Sequence, residues 1–91
     1  MSFVPDNPKD PDAVIDYQID WTAWLNGDVI STSTWAADTG ITVDSDSDDG
    51  SISTVWLSGG TAGTTYSVTN QIITTAGRTD DRSLSISVAE R

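Results

Sequence analysis

Aspartate is the residue type with which this chain could do chemistry, because it supplies 13 of the 14 acidic side chains among the 91 residues. Histidine and cysteine are both absent. The usual general base, the thiolate nucleophile and the commonest ligands of transition metals are therefore missing. Carboxylates leave two kinds of site open: an acid and base pair, or the oxygen ligands of a hard cation such as calcium.

A run of aspartates that ends in a glycine, at residues 44–50, raises the calcium interpretation. Its members are Asp44, Asp46, Asp48 and Asp49. In a calcium loop of the helix-loop-helix type, the sixth residue is glycine and the twelfth is a bidentate glutamate. Counted from Asp44, those positions hold Asp49 and Val55. We therefore predict a solvated acidic loop and no metal, with a looser calcium site as the alternative.

Neighbouring aspartates also form two pairs that could act as acid and base: Asp80 with Asp81, and Asp16 with Asp20. Arg78 and Arg82 flank the first pair, which predicts a local ion-pair cluster at the end of a hairpin. The sequence has no Ser/His/Asp set, no phosphate-cradling loop with a lysine and no zinc spacing. We predict a protein that is not an enzyme, with no catalytic residues and no cofactor. A glycosidase-like hydrolase that uses aspartate pairs is the weakest alternative.

Four tryptophans are the remaining candidates for a site, because their rings can anchor protein interfaces or stack on sugars. They are Trp21, Trp24, Trp35 and Trp56. We assign Trp21 and one of Trp35 or Trp56 to the core. Trp24 lies outside the alternating pattern and beside Leu25, so we predict that these two residues contact a partner. The alternative is that Trp24 covers the open end of the fold.

The charge limits the class of partner. The formal net charge of −10 would repel phosphate backbones and anionic lipid. We therefore expect no nucleic acid and no membrane surface as partner, and we expect proteins instead.

The elements that must position these residues are strands. Serine and threonine supply 25 residues, a composition typical of sheets. Residues 15–21 alternate strictly between apolar and polar side chains, which predicts a half-buried first strand. Residues 21–25 break that alternation and predict a short helical turn or bulge, and the Asn-Gly-Asp sequence at 26–28 predicts a reversal.

The rest of the chain continues the same pattern. We predict further strands at residues 29–36, 41–43 and 51–58, and an antiparallel hairpin of residues 66–75 with 83–88. Tyr66, three residues after Gly63, fits a tyrosine corner whose phenol bonds back to the backbone. About six or seven short strands with regular turn signals predict an all-β fold, an immunoglobulin-like antiparallel β-sandwich.

The N-terminal residues differ in composition. Pro5, Pro8 and Pro11 recur among polar residues, which favours an extended, polyproline-like segment. We therefore divide the chain into an extended N-terminal arm at residues 1–12, outside the core, and a sandwich domain at residues 13–91. We expect the three prolines to dock on a neighbouring subunit, with a frayed terminus as the alternative.

Several blocks of the sequence resemble a known family. They are DPDAV at residues 10–14, DY at 16–17, DW at 20–21, WLNGD at 24–28, VWLSGGTAGTTY at 55–66 and AGRTDDRS at 76–83. Together they resemble the fiber-tail adaptor proteins, small virion proteins of tailed bacteriophages. The similarity runs from residue 10 to residue 88 and is most specific in the last two blocks.

This resemblance implies a structural component of a virion, located at the portal, neck and tail region and connecting the tail to fibers. It implies other virion proteins as partners, namely the portal or head-tail adaptor, the tail or nozzle, and the fiber. We expect several copies in a symmetric ring. Because no basic segment precedes an apolar run, we expect no signal peptide and assembly in the host cytoplasm. The alternative function is a capsid decoration protein or a glycan-binding adhesin that uses Trp24 or Trp35.

Overall fold

A computed structural model describes residues 2–3 and 9–89 of the chain. This part contains seven strands and one helical turn. In chain order they are β1 (Ser2–Phe3), β2 (Ile15–Asp20), α1 (Thr22–Leu25), β3 (Ile30–Ala37), β4 (Ile41–Asp48), β5 (Ile52–Gly59), β6 (Thr65–Thr74) and β7 (Thr79–Ser87).

The strands form two sheets that face each other. One sheet has the order β1-β7-β6-β3 and the other has the order β2-β5-β4. Every pairing is antiparallel except that of β1, which runs parallel to β7. When β2 to β7 are read as strands B to G of an immunoglobulin domain, the sheets become B-E-D and G-F-C. The predicted immunoglobulin-like sandwich is therefore confirmed, as is the predicted hairpin of β6 with β7.

The core lies between the sheets and follows the period-two pattern of the sequence. Along β6, every second residue from Tyr66 to Thr74 is buried, and the intervening residues lie on the outer face. Thirteen hydrophobic residues form one buried cluster, of which Trp21 is the largest. Trp35 packs half-buried against this cluster, so it is the second core tryptophan, whereas Trp56 lies on the surface.

A polar network crosses the middle of the core. The indole Nε1 of Trp21 donates to Oδ1 of Asn70 over 2.9 Å, and Nδ2 of Asn70 donates to Oγ of Ser33 over 2.9 Å. Ser33 and Ser53 share a hydrogen bond of 3.1 Å between the two sheets. Since Trp21, Asn70 and Ser53 are fully buried, each polar group needs its partner inside the protein.

The predicted tyrosine corner is confirmed. The hydroxyl of Tyr66 accepts a hydrogen bond of 2.9 Å from the amide of Thr61. Gly40 lies against the same ring, where its φ of +109° and a distance of only 2.9 Å from a Cβ to Tyr66 Cε1 both exclude a side chain. The corner therefore fixes the connection between β5 and β6.

The expected acidic loop at residues 44–50 is wrong for most of its length. β4 continues to Asp48 and pairs with β5 throughout. A bulge between Val43 and Ser45 interrupts the register. Because β4 is an edge strand, its aspartates remain exposed while its backbone is paired on one side, and so the low β-propensity of aspartate does not end the strand.

The expected arm outside the core is corrected where the structure describes it. Lys9 is fully buried and forms a parallel bridge with Val88. Its ammonium group donates to the carbonyl oxygens of Asp10 and Gly59 over 2.9 and 2.7 Å. Burial lowers the pKa of Lys9, and the carboxylate of Asp10 opposes this shift. The carbonyl oxygens compensate the buried cation, so this segment is part of the packed sandwich.

Candidate functional site

Three connections meet at one end of the sandwich, which we call the loop end. They are residues 21–29 between β2 and β3, residues 49–51 between β4 and β5, and residues 75–78 between β6 and β7. Backbone hydrogen bonds tie them together: Trp21 N to Ser51 O at 2.9 Å, Ile30 N to Gly50 O at 2.8 Å, and Thr75 N to Val29 O at 2.9 Å. The three connections of the loop end are therefore joined by hydrogen bonds into one surface.

The helical turn α1 confirms the predicted break after the first strand. Trp21 is its N-cap, and the carboxylate of Asp20, one residue earlier, accepts a hydrogen bond of 2.9 Å from the amide of Thr22. Asn26 ends it in the left-handed conformation, with φ of 48°. Gly27 follows with φ of 93°, a value that suits glycine. The Asn-Gly sequence thus reverses the chain and holds Trp24 and Leu25 at the loop end.

Trp24 is half-buried between an aromatic ring and a cation. Its ring meets that of Trp21 edge to face, with centroids 5.4 Å apart. The guanidinium carbon of Arg78 lies over the Trp24 ring, 4.3 Å from its centroid. Both contacts suit the charge distribution of an indole ring. Leu25, by contrast, is only 2% exposed, and its side chain belongs to the core.

Arg78 joins the loops around Trp24. Its side chain donates to the carbonyl oxygen of Leu25 over 2.7 Å and forms an ion pair of 3.2 Å with Asp28. Asp28 also accepts a hydrogen bond of 2.9 Å from the hydroxyl of Thr75. The hydroxyl of Thr74 contributes most to holding the pKa of Asp28 well below its usual range, helped by the Val29 amide, Thr75 and Arg78. Asp28 is therefore an ionised anchor of this end.

Arg82 lies close to Arg78 but makes different contacts. Its guanidinium carbon is 4.2 Å from the centroid of Trp21. The predicted cluster of Arg78 and Arg82 with Asp80 and Asp81 is therefore wrong: within the described part of the chain, the one ion pair joins Arg78 to Asp28. Alternation along β7 turns Arg82 towards the sandwich and over Trp21, on the same side as Leu84, and turns Asp81 to the opposite, exposed side.

The arrangement suits contact more than reaction. It offers a fixed, partly exposed indole, two arginines and the exposed Val29 on hydrogen-bonded loops. Across residues 9–89, no three acidic residues lie close enough together to hold a metal ion. Among the described residues, no helix has the length and apolar character that a membrane span requires. Rigid aromatic and arginine groups of this kind are enriched at protein interfaces.

The sequence-predicted interface residues fall into three groups. Pro5 and Pro8 lie outside the described residues, so their docking role stays a prediction. Pro11 is half-buried beside Lys9, at the opposite end from Trp24. Trp24 and Leu25 are together at the loop end, with Trp24 nearer the surface.

Sequence reasoning missed Arg78 as the partner of Trp24 and Asp28 as the partner of Arg78. Arg78 lies 54 positions from Trp24 and 50 positions from Asp28 in the sequence. Only the pairing of the loops brings them together. The available signal was the scarcity of cations. The chain has four basic residues, and two of them are arginines near one hairpin end, which indicates that this end has acidic or aromatic partners for them.

Comparison with known proteins gives one family. A family model described as podophage GP4 fiber-tail adaptor protein gp77 matches residues 9–87. No curated protein matches the chain. The matched range includes both core sheets from β2 to β7, the buried Lys9 and the whole loop end.

Proposed function

Because this chain belongs to the podophage GP4 fiber-tail adaptor family, a family of phage structural proteins, we propose that it joins the tail of a virion to its fibers. Its position in this proposal is the portal, neck and tail region. The observation that carries the proposal is the family match over residues 9–87. This match covers the fold and its candidate surfaces together.

The structure supports the proposal through two separate ends. The loop end presents Trp24 on a hydrogen-bonded scaffold. The opposite end holds Lys9 and Pro11, where the N-terminal segment meets the sandwich. An adaptor needs two surfaces for two partners, and a small sandwich with fixed ends provides them at low entropic cost. In this proposal residues 1–12 are the segment that reaches a neighbour, anchored to the sandwich by the buried Lys9, and residues 13–91 are the sandwich domain.

In this proposal the partners are other virion proteins, and the role is structural rather than enzymatic. The portal or head-tail adaptor and the tail or nozzle lie on one side, and the fiber lies on the other. Several copies in a symmetric ring, assembled in the host cytoplasm, would strengthen contacts that are individually small.

The alternative of a glycan-binding adhesin that uses Trp24 or Trp35 receives less support. Arg78 covers one face of Trp24 at 4.3 Å, and Trp21 packs against the same ring. Trp35 packs half-buried against the core. Neither ring is an open platform on which a sugar could stack.

Cryo-electron microscopy of purified phage particles tests the proposal. We expect density for the sandwich between the tail and the fiber bases, in several symmetric copies. Finding the chain only free in the host cytosol, and absent from purified particles, would contradict the proposal.

A further inference from the structure

The outer face of the sheet formed by β2, β5 and β4 carries an exposed tryptophan at its centre. Trp56 lies on the central strand β5 and is 42% exposed. Its cross-strand partners are Asp16 on β2 and Ser45 on β4. Val14 precedes β2 on the same face by alternation and is 54% exposed. This tryptophan packs against no other described sheet, and tryptophan is one of the residue types that dominate binding energy at the centres of protein interfaces.

The bulge in β4 moves Asp44 out of the position directly opposite Trp56 but keeps its carboxylate on the same outer face. Without it, residue 44 would stand opposite Trp56 and residue 45 opposite the buried Val55. The extra residue instead puts Ser45 opposite Trp56. Asp44 stays on the outer face, where the hydroxyl of Ser58 donates to its Oδ1 over 2.7 Å. Bulges commonly re-aim side chains in this way. Trp56 thus has Asp16 opposite it on β2, and on β4 it has Asp44 next to its partner Ser45.

Neither carboxylate forms an ion pair with a cation on the described residues, although the charge of Asp44 acts to raise the pKa of Lys9. Lys9 is fully buried and donates to carbonyl oxygens. Arg78 and Arg82 lie at the loop end over Trp24 and Trp21. An indole ring between two unpaired carboxylates attracts a guanidinium group, which stacks on the ring and pairs with carboxylates at the same time.

We propose that this outer face, centred on Trp56 with Asp16 and Asp44, binds a basic surface of another virion protein through an arginine stacked on Trp56. Complementarity of charge selects this occupant: a second copy of the same face would bring two sets of carboxylates together and be repelled. The inference rests on the proposed adaptor function and names the chemistry of one of its partners.

The test compares phages that carry single substitutions in the gene for this chain. Trp56→Thr removes the ring and keeps a residue suited to a strand. Ile73→Thr is the matched control, because Ile73 is also 42% exposed but lies on the outer face of the other sheet. The measurement is the amount of this chain per purified particle, by quantitative mass spectrometry. Thermal unfolding of both purified variants checks that they fold.

We expect Trp56→Thr to lower the amount per particle by about tenfold or more, as loss of an aromatic anchor does. Ile73→Thr should leave it unchanged. Asp16→Asn with Asp44→Asn should also lower it, and the wild-type chain should leave particles more readily as salt rises.

If particles contain as much of the Trp56→Thr chain as of the wild-type chain, the inference about this face is overturned. The proposed adaptor function would not be affected by that result. Equal loss in both threonine variants would overturn the inference as well. If Trp56→Thr is incorporated normally but no longer binds lipopolysaccharide from host cells, a glycan rather than a protein occupies the face. Absence of the wild-type chain from particles would contradict the adaptor function itself.

Discussion

At the scale of single residues, the centre of the core depends on one amide. Asn70 is fully buried, and it connects Trp21 on one sheet connection with Ser33 and the backbone of Thr34 on β3. A buried amide between two sheets fixes their relative position because its hydrogen bonds are directional.

Asn70→Ala should lower the free energy of unfolding by about 2–3 kcal/mol, because it leaves the buried indole N–H of Trp21 without an acceptor. Urea unfolding followed by tryptophan fluorescence measures this change. Gln71→Ala is the control on the exposed side of the same strand and should cost less than about 0.5 kcal/mol. Equal effects of the two substitutions would contradict the role of the network.

A second residue-scale prediction concerns Asp28 and acid. Its folded pKa is depressed, so its contribution to stability is present above the ordinary carboxyl pKa of about 3.9 and disappears as pH falls through the folded value. The free energy of unfolding of the wild-type protein should therefore exceed that of Asp28→Asn at neutral pH. The two should converge as pH falls towards about 2.

Urea unfolding of both proteins across that pH range measures the convergence. Asp46→Asn serves as the control, because Asp46 is exposed on β4 and makes no ion pair among the described residues. A difference between wild type and Asp28→Asn that stays constant down to acid pH would contradict the assignment.

At the scale of elements, the alternation of apolar and polar residues predicted the central parts of the strands, whereas the extent of the edge strand β4 was not predicted. Strict period-two patterns in β2 and β6 located those strands and their buried faces, because burial on one side leaves no other register. The extent of β4 could not be predicted, since its aspartates are tolerated only because β4 is an edge paired with β5. The partners of Arg78 were equally hidden, because they depend on which loops meet.

The bulge and the aspartates of β4 should protect that edge from pairing with other chains. Beyond the bulge, Asp46 and Asp48 take the register positions opposite the inward-facing Val55 and Ser53. Replacing both aspartates by threonine should therefore increase self-association. Sedimentation velocity would show faster, concentration-dependent sedimentation than for wild type.

The control for this prediction is Ser45→Thr with Ser47→Thr, which changes the same strand without changing charge. It should sediment as the wild-type protein does. Wild-type sedimentation of the aspartate variant would show that these side chains do not protect the edge.

The buried Lys9 fastens the N-terminal segment to the sandwich. Lys9→Ala should lower the free energy of unfolding by about 1.5–3 kcal/mol, because it removes charge-assisted hydrogen bonds that include the one to Gly59. Hydrogen exchange should accelerate at the amides of Lys9 and Ala89, which bond across this junction.

Val14→Ala is the control for the segment, since the uncharged Val14 side chain is 54% exposed. It should leave the exchange of both amides unchanged. Unchanged exchange in Lys9→Ala would mean that the main-chain pairing alone holds the segment.

At the scale of the whole molecule, the negative charge is unevenly distributed. The sheet of β2 and β4 carries aspartates along both of its edges, whereas both described surface arginines lie at the loop end. The loop end therefore combines both described surface arginines with its own aspartates, whereas the outer face around Trp56 has carboxylates without arginines. An adaptor with two chemically different surfaces can bind two different partners without confusing them.

Deleting the gene for this chain from the phage tests the adaptor account most directly. Particles made without the chain, examined by electron microscopy, should retain their tails and lack fibers, and a copy of the gene supplied in the host should restore the fibers. Particles that carry fibers in wild-type number without the chain would contradict the account.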